Sequence, residues 1–184
     1  MTNHLMDTPL NSEQQEYISA IKESSNNLLS IINELLDLSK IMAKKIVFDN
    51  QPFDLEVIIK NLVHLLEFRA IEKNVILNFN ISAYVPKIII GDFIRLKQIL
   101  LNLVENAVKF THDGKIEITV NPLKNTEGYI ILEFSVKDTG IGIPDNKLQI
   151  IFENFTQVNA KTTRKYGGTG LGLSISKQLV EQQG

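Results

Sequence analysis

The stretch DFIRLKQILLNLVENAVKFT, residues 92–111, constrains this chain more than any other. Leu96, Ile99, Leu100, Leu103 and Ala107 recur at steps of three and four, a spacing that predicts a helix burying one apolar stripe. The opposite stripe is unusual. Arg95, Gln98, Asn102, Asn106 and Lys109 share one face, where side chains four residues apart are neighbours. Two amides and a lysine suit a magnesium phosphate. An amide oxygen is a hard, neutral ligand, and Mg²⁺ takes only one or two protein ligands beside waters and substrate phosphates. Lys109, one turn beyond Asn106, supplies charge for the phosphate. Taken alone, the same stripe also describes a solvated helix face.

With 184 residues and ordinary apolar and charged fractions, the chain has room for one compact domain plus an extra element. A net charge of −2 argues against a nucleic-acid partner, which normally demands a basic face. Membrane contact is not expected of this stretch: no apolar run has spanning length, and MTNHLMDTPL lacks the basic start and apolar middle of a signal peptide. The absence of cysteine excludes disulfides and thiolate metal sites and fits a cytoplasmic location.

Ser12 with Gln15 resembles a capping box, and no glycine or proline interrupts the chain from there to about Lys45, so a long helix is expected. Ile18, Ile21, Leu28, Ile32 and Leu35 trace a heptad seam that Leu29 and Leu36 widen. A helix of roughly 50 Å exceeds what a small core can cover, so homodimerisation through this N-terminal helix is expected. IVFDN reads as a strand that Pro52 breaks. Asp54 then caps a second helix to about Lys73, with Leu55, Ile58, Ile59, Leu62, Leu66 and Ile71 inward. VILNFNIS and VPKIII are strand-like, and KIEITV and YIILEFSV alternate as an antiparallel pair joined across Asn125 and Gly128. The fold class expected is α+β: residues 1–45 form a helical segment, and residues 46–184 a mixed sheet covered by helices on one side.

Two further motifs carry chemistry. In DTGIGIP, residues 138–144, Asp138 stands at a strand end where it can accept from an adenine amine, while Gly140 and Gly142 let backbone approach a flat base. Asp-Thr-Gly is equally an ordinary turn. GGTGLGL, residues 167–173, opens a helix whose free N–H groups suit phosphate oxygens. Its glycines miss the dinucleotide spacing, and no GK[ST] occurs. Between the motifs, Lys161, Arg164 and Lys165 stand in a polar stretch able to close over a triphosphate, or simply to be solvated.

NLVENAVKF, DTGIGIP, IFENF and GGTGLGL, in this order, resemble the four nucleotide-binding boxes of sensor histidine kinases, most closely the hybrid type. The likeness extends back through LLDLSKI and so covers nearly the whole chain. It implies an α/β sandwich of the Bergerat type that binds ATP and Mg²⁺, following part of a dimerising helical hairpin that carries a phosphoacceptor histidine. By that match Asn106 ligates Mg²⁺, Asn102 and Lys109 hold phosphates, and Asp138, with Gly140 and Gly142, receives adenine. Phe152 and Phe155 anchor the lid, and Gly168, Thr169, Gly170, Leu171 and Gly172 wrap the phosphates, with Arg164 and Lys165 closing over them. A response-regulator receiver domain is the implied partner. Related gyrase, chaperone and repair ATPases place a glutamate base where Asn102 stands, and an amide cannot take a proton, so transfer to a protein is favoured over hydrolysis. Glu105 remains a candidate polarising group, or a surface residue. The alternatives are a hydrolase of the wider superfamily and a non-catalytic dimer whose nucleotide site regulates association.

HLMDTPLN, from His4, superficially copies the histidine box HExxTPLN, but Leu5 replaces the acidic neighbour and Asp7 a basic one. The acceptor is therefore expected upstream of Met1. His64 and His112 read as structural or exposed. The closing strands that the family places after the glycine box are absent before Gly184, and Met42, Lys44 and Asn154 replace the usual Glu, Gly and Pro.

Overall fold

The computed structural model describes residue 5 and residues 8–43, 45–156 and 169–183. The chain divides into two compact units, residues 1–45 and 46–184. The first is dominated by one helix, α1 (Ser12–Met42). Its capping box is shifted one residue from the expected position. Asn11 rather than Ser12 accepts from the backbone of Gln14, whose side chain accepts in return from the Asn11 N–H. Ile21, Leu28, Ile32 and Leu35 of the heptad seam are exposed, with Leu29 and Leu36 beside them.

The second unit runs β1 (Gln51–Asp54), α2 (Leu55–Ile71), β2 (Val75–Ile81), β3 (Ile88–Gly91), α3 (Phe93–Phe110), β4 (Gly114–Asn125), β5 (Ile130–Asp138) and α4 (Gly172–Gln183). β2, β4 and β5 form a mixed sheet in that order, with β2 parallel and β5 antiparallel to β4. Alternation along β4 turns Ile116, Ile118 and Val120 inward, all fully buried. They meet Leu55, Ile59, Leu62 and Leu66 of α2 and Leu100, Val104, Ala107 and Val108 of α3 in one core. Helices thus cover one face of the sheet, as the periodicity implies. Among the described residues no helix is long and apolar enough to cross a membrane.

Several details differ from expectation. Residues 46–50 are not a strand, and Pro52 does not break one but lies within β1, opposite Ile90 of β3. A two-stranded ribbon tolerates it because the proline's missing N–H can point away from the pairing partner. On α2, Ala70 rather than Ile71 is buried at the last turn, and Ile58 is only half-buried. On α3, Val104 and Val108 reach the core, whereas Leu96 and Leu103 are half-buried.

Asp54 does cap α2, accepting from Glu56 N at 3.0 Å and Val57 N at 3.3 Å. Asp54→Ala is expected to cost about 1 kcal/mol. Thermal unfolding would register it as a lower midpoint, and an unchanged midpoint would show that the cap is dispensable.

Candidate functional site

α3 is fixed at its start by Asp92, a buried N-cap whose carboxylate accepts from Arg95 N at 3.0 Å and Asp49 N at 3.1 Å. Along its polar face Arg95 donates to Gln98 at 2.7 Å. One turn further, Asn102, Asn106 and Lys109 are all half-buried. Asn106 Nδ2 donates weakly to Asn102 Oδ1 at 3.4 Å, and Asn102 Nδ2 donates to Ser176 Oγ of α4 at 2.8 Å. With its nitrogen so used, the Asn106 Oδ1 faces no donor among the described residues. It is therefore available to a cation. A neutral amide oxygen is a ligand that Mg²⁺ accepts beside waters and phosphate oxygens, and among the described residues no group of three or more His, Asp or Glu could hold a metal.

The glycine motif meets this face directly. Gly172 opens α4, and a Cβ there would collide with the Asn102 side-chain amide. Only a bare Cα lets the first turn of α4, with its unsatisfied N–H groups, stand beside the amides. Thr169 Oγ1 accepts from Leu171 N at 3.1 Å, and Leu171, Ile175 and Leu179 are buried as α4 packs on α3. Gly170 has a φ of +74°, and its Cβ would meet the backbone of Phe155 and Thr156 at 2.9 Å. Phe155 itself adopts a φ of +61°, strained for an aromatic residue. Its ring is exposed, as is that of Phe152, which lies 5.9 Å below Lys177 Nζ.

The DTG turn arrives at the other end of α3. Asp138 closes β5, and its Oδ1 accepts from Gly140 N at 2.8 Å. Gly140 presses on the carbonyl of Phe110, to which Ile141 N donates at 3.3 Å. Thr139 is held by Lys115, whose N–H donates to its Oγ1 at 3.0 Å. Gly142 has open space and a φ of +66°, a conformation suited to glycine. The fold therefore brings Asp138, Asn106, Asn102, Lys109 and Gly172 around one helix.

Lys109 is depressed below the usual lysine range, first by burial and then by the nearby Lys73, against a smaller opposing effect of Glu105. Glu105 is half-exposed and reaches across to Arg69 of α2 at 3.4 Å. His64 is exposed beside Glu67, and His112 is exposed. His4, Lys161, Arg164, Lys165 and Gly168 lie outside the described residues. Sequence reading missed Ser176 and Lys73, each tied to α3 by a hydrogen bond from a distant part of the chain.

A helix with an amide face, a strand-end aspartate and a glycine-opened second helix over a mixed sheet define a nucleotide-binding ATPase domain. Residues 91–184 match the family of histidine kinase-, DNA gyrase B- and HSP90-like ATPases, and the chain belongs to that family. Residues 1–44 match the His Kinase A (phospho-acceptor) domain. Over 184 residues the chain is 44% identical to hybrid signal transduction histidine kinase A of Dictyostelium discoideum, covering 97% of this chain and 8% of that protein. Full-length ShkA, crystallised with AMPPNP, superposes with a TM-score of 0.80 at 36% identity, covering 98% of this chain and 36% of the other. Histidine kinase ThkA, in a complex with response regulator protein TrrA, superposes with a TM-score of 0.63 at 25% identity, covering 96% of this chain and 46% of the other. The chain spans a fifth or less of the length of the curated relatives it matches.

Proposed function

We propose that this chain is the ATP-binding catalytic part of a cytoplasmic hybrid sensor histidine kinase. It serves transfer of the ATP γ-phosphoryl group to a histidine, and thence to a response-regulator aspartate. The observation that carries this reading is the contact of the amide face of α3 with the glycine start of α4, which sets hard oxygen donors beside unsatisfied N–H groups. Asn106 would hold Mg²⁺, which neutralises phosphate charge when bound. Lys109 and the segment leading into α4, from Gly170 to Gly172, would meet phosphate oxygens, as would Gly168, Thr169, Arg164 and Lys165. Asp138 would accept from the adenine amine, its second carboxylate oxygen being left over from the Gly140 hydrogen bond.

Asn102 takes a smaller share of phosphate contact than its place in the motif suggests. Its nitrogen is engaged by Ser176 and its oxygen by Asn106, so it links the two helices. It also offers no base for water. Positioning and charge neutralisation therefore dominate over activation of a nucleophile. The match of residues 1–44 to the phospho-acceptor domain and the exposed seam of α1 both support a homodimer.

Calorimetry tests the reading. The chain is expected to take up ATP in a magnesium-dependent manner and to release phosphate slowly; no magnesium-dependent uptake would remove the reading. Steady phosphate release that vanishes in Asn102→Ala would instead favour a hydrolase.

Lys109 makes the pH dependence specific. A bound phosphate stabilises its charged form, so affinity is full below the lowered pKa of the free chain and falls as pH rises through it. The same depression opposes folding below that pKa and is relieved above it. Lys109→Met is therefore expected to weaken nucleotide binding by roughly tenfold or more, abolish the alkaline fall and leave the fold as stable or more so. Binding titrations across alkaline pH, beside thermal unfolding, check all three; an alkaline fall that persists in the variant would exclude Lys109.

A further inference from the structure

The last turn of α3 exposes four backbone carbonyls that have no donor within the helix. All four are met. Thr111 N donates to Ala107 O at 3.0 Å, and Ile141 N, from the DTG turn, donates to Phe110 O at 3.3 Å. The two between them, Val108 O and Lys109 O, both accept from Lys73 Nζ at 2.9 Å. A single ammonium thus holds half the end of the helix, at the pole where a cation is favourable.

Lys73 is itself held in place. It lies in the turn between α2 and β2, where its N–H donates to Ala70 O at 3.0 Å and its carbonyl accepts from Asp113 N at 3.0 Å. The next residue, Asn74, adopts a φ of +55°, donates from its side chain to Asp113 Oδ1 at 3.0 Å and accepts from Gly114 N at 3.2 Å. The segments on either side of the ammonium are therefore stitched together by backbone, and the lysine reaches α3 from a fixed base.

We propose that Lys73 is a positioning residue for nucleotide binding: by clamping the last turn of α3, it sets where Lys109 and the Asp138 turn stand relative to one another. Lys109 belongs to the clamped turn through its own carbonyl. The adjoining carbonyl of Phe110 carries the DTG turn, through Ile141 N and the close approach of Gly140. A shift of this turn displaces the phosphate-facing lysine and the adenine-facing carboxylate together. The inference rests on reading the site as an adenine-nucleotide pocket.

Lys73→Met keeps the aliphatic stem and removes the donors; Lys73→Arg restores donors at the same place. The amide exchange rate of Ile141, read by NMR without nucleotide, reports the clamp, and calorimetry with magnesium and ADP reports the pocket. In Lys73→Met we expect Ile141 to exchange at least tenfold faster and ADP affinity to fall about tenfold, with both returning to within about threefold of the parent in Lys73→Arg. Unchanged ADP affinity in Lys73→Met, with the parent chain binding normally, would overturn the role of Lys73 alone, as would an arginine variant as impaired as the methionine one. A parent chain that takes up no ADP would overturn the nucleotide reading, and the positioning role with it.

Discussion

Gly140→Ala is expected to abolish detectable nucleotide binding while leaving most of the sheet intact. The added Cβ would lie 2.5 Å from the carbonyl oxygen and 2.9 Å from the carbonyl carbon of Phe110, and 2.8 Å from Asp138 Oδ1. Two of those atoms are backbone at the clamped end of α3, which cannot swing away as a side chain would. The DTG turn must lift instead, breaking the Ile141 N to Phe110 O hydrogen bond at 3.3 Å and carrying the Asp138 carboxylate with it. Overpacking of this kind costs about 1–3 kcal/mol of stability, or a fall of several degrees in midpoint for a chain of this size. The loss of binding should exceed what that destabilisation explains, because the displaced group is the one proposed to select the base. Thermal unfolding with ADP titration separates the two effects. Gly128→Ala, at a turn where a Cβ would meet nothing, is the matched control and should behave as the parent. Parent-like ADP affinity in Gly140→Ala would mean that base recognition does not depend on this turn.

The second large effect is expected at Asn106. Asn106→Ala removes an Oδ1 that faces no donor among the described residues, and with it the long 3.4 Å donation to Asn102 Oδ1, an acceptor that is only half-buried. Stability should change little. Affinity for ATP in magnesium should fall about 100-fold, equivalent to about 2.7 kcal/mol, towards the value measured with a chelator present. Adenosine, which has no phosphate to share a cation, should bind the variant as it binds the parent. Calorimetry on the three ligand conditions settles the assignment. A variant that retains the full advantage of magnesium would move the metal away from this residue.

The spacing of residues 92–111 made α3 legible because a 3.6-residue period is written locally, in side chains that share a face. Asp54 was legible as a cap for the same reason, since a cap acts on N–H groups two or three residues away, whereas Asp92 emerged as one only in the structure. The errors cluster where two local solutions are nearly equal. Asn11 and Ser12 can both cap, each having a glutamine three residues on, and the structure uses Asn11. Ile71 fits the apolar period, yet it falls in the last turn of α2, where the chain leaves for β2 and the small Ala70 faces the core instead. Pro52 breaks a strand only if its N–H is needed, and strand pairing is not visible until β3 is placed beside it.

Sequence alone determined the order of the elements, the amphipathic helix and the residue types from which a magnesium-nucleotide site is proposed. Each depends on neighbours within a turn or two, or on four motifs whose order is read directly. Tertiary structure alone decided how those residues share their work. Asn102 is drawn to Ser176, 74 residues away, Glu105 to Arg69 and Lys73 to the carbonyls at the end of α3. Such polar pairings leave no period in the sequence, because a hydrogen bond requires only that two groups meet in space.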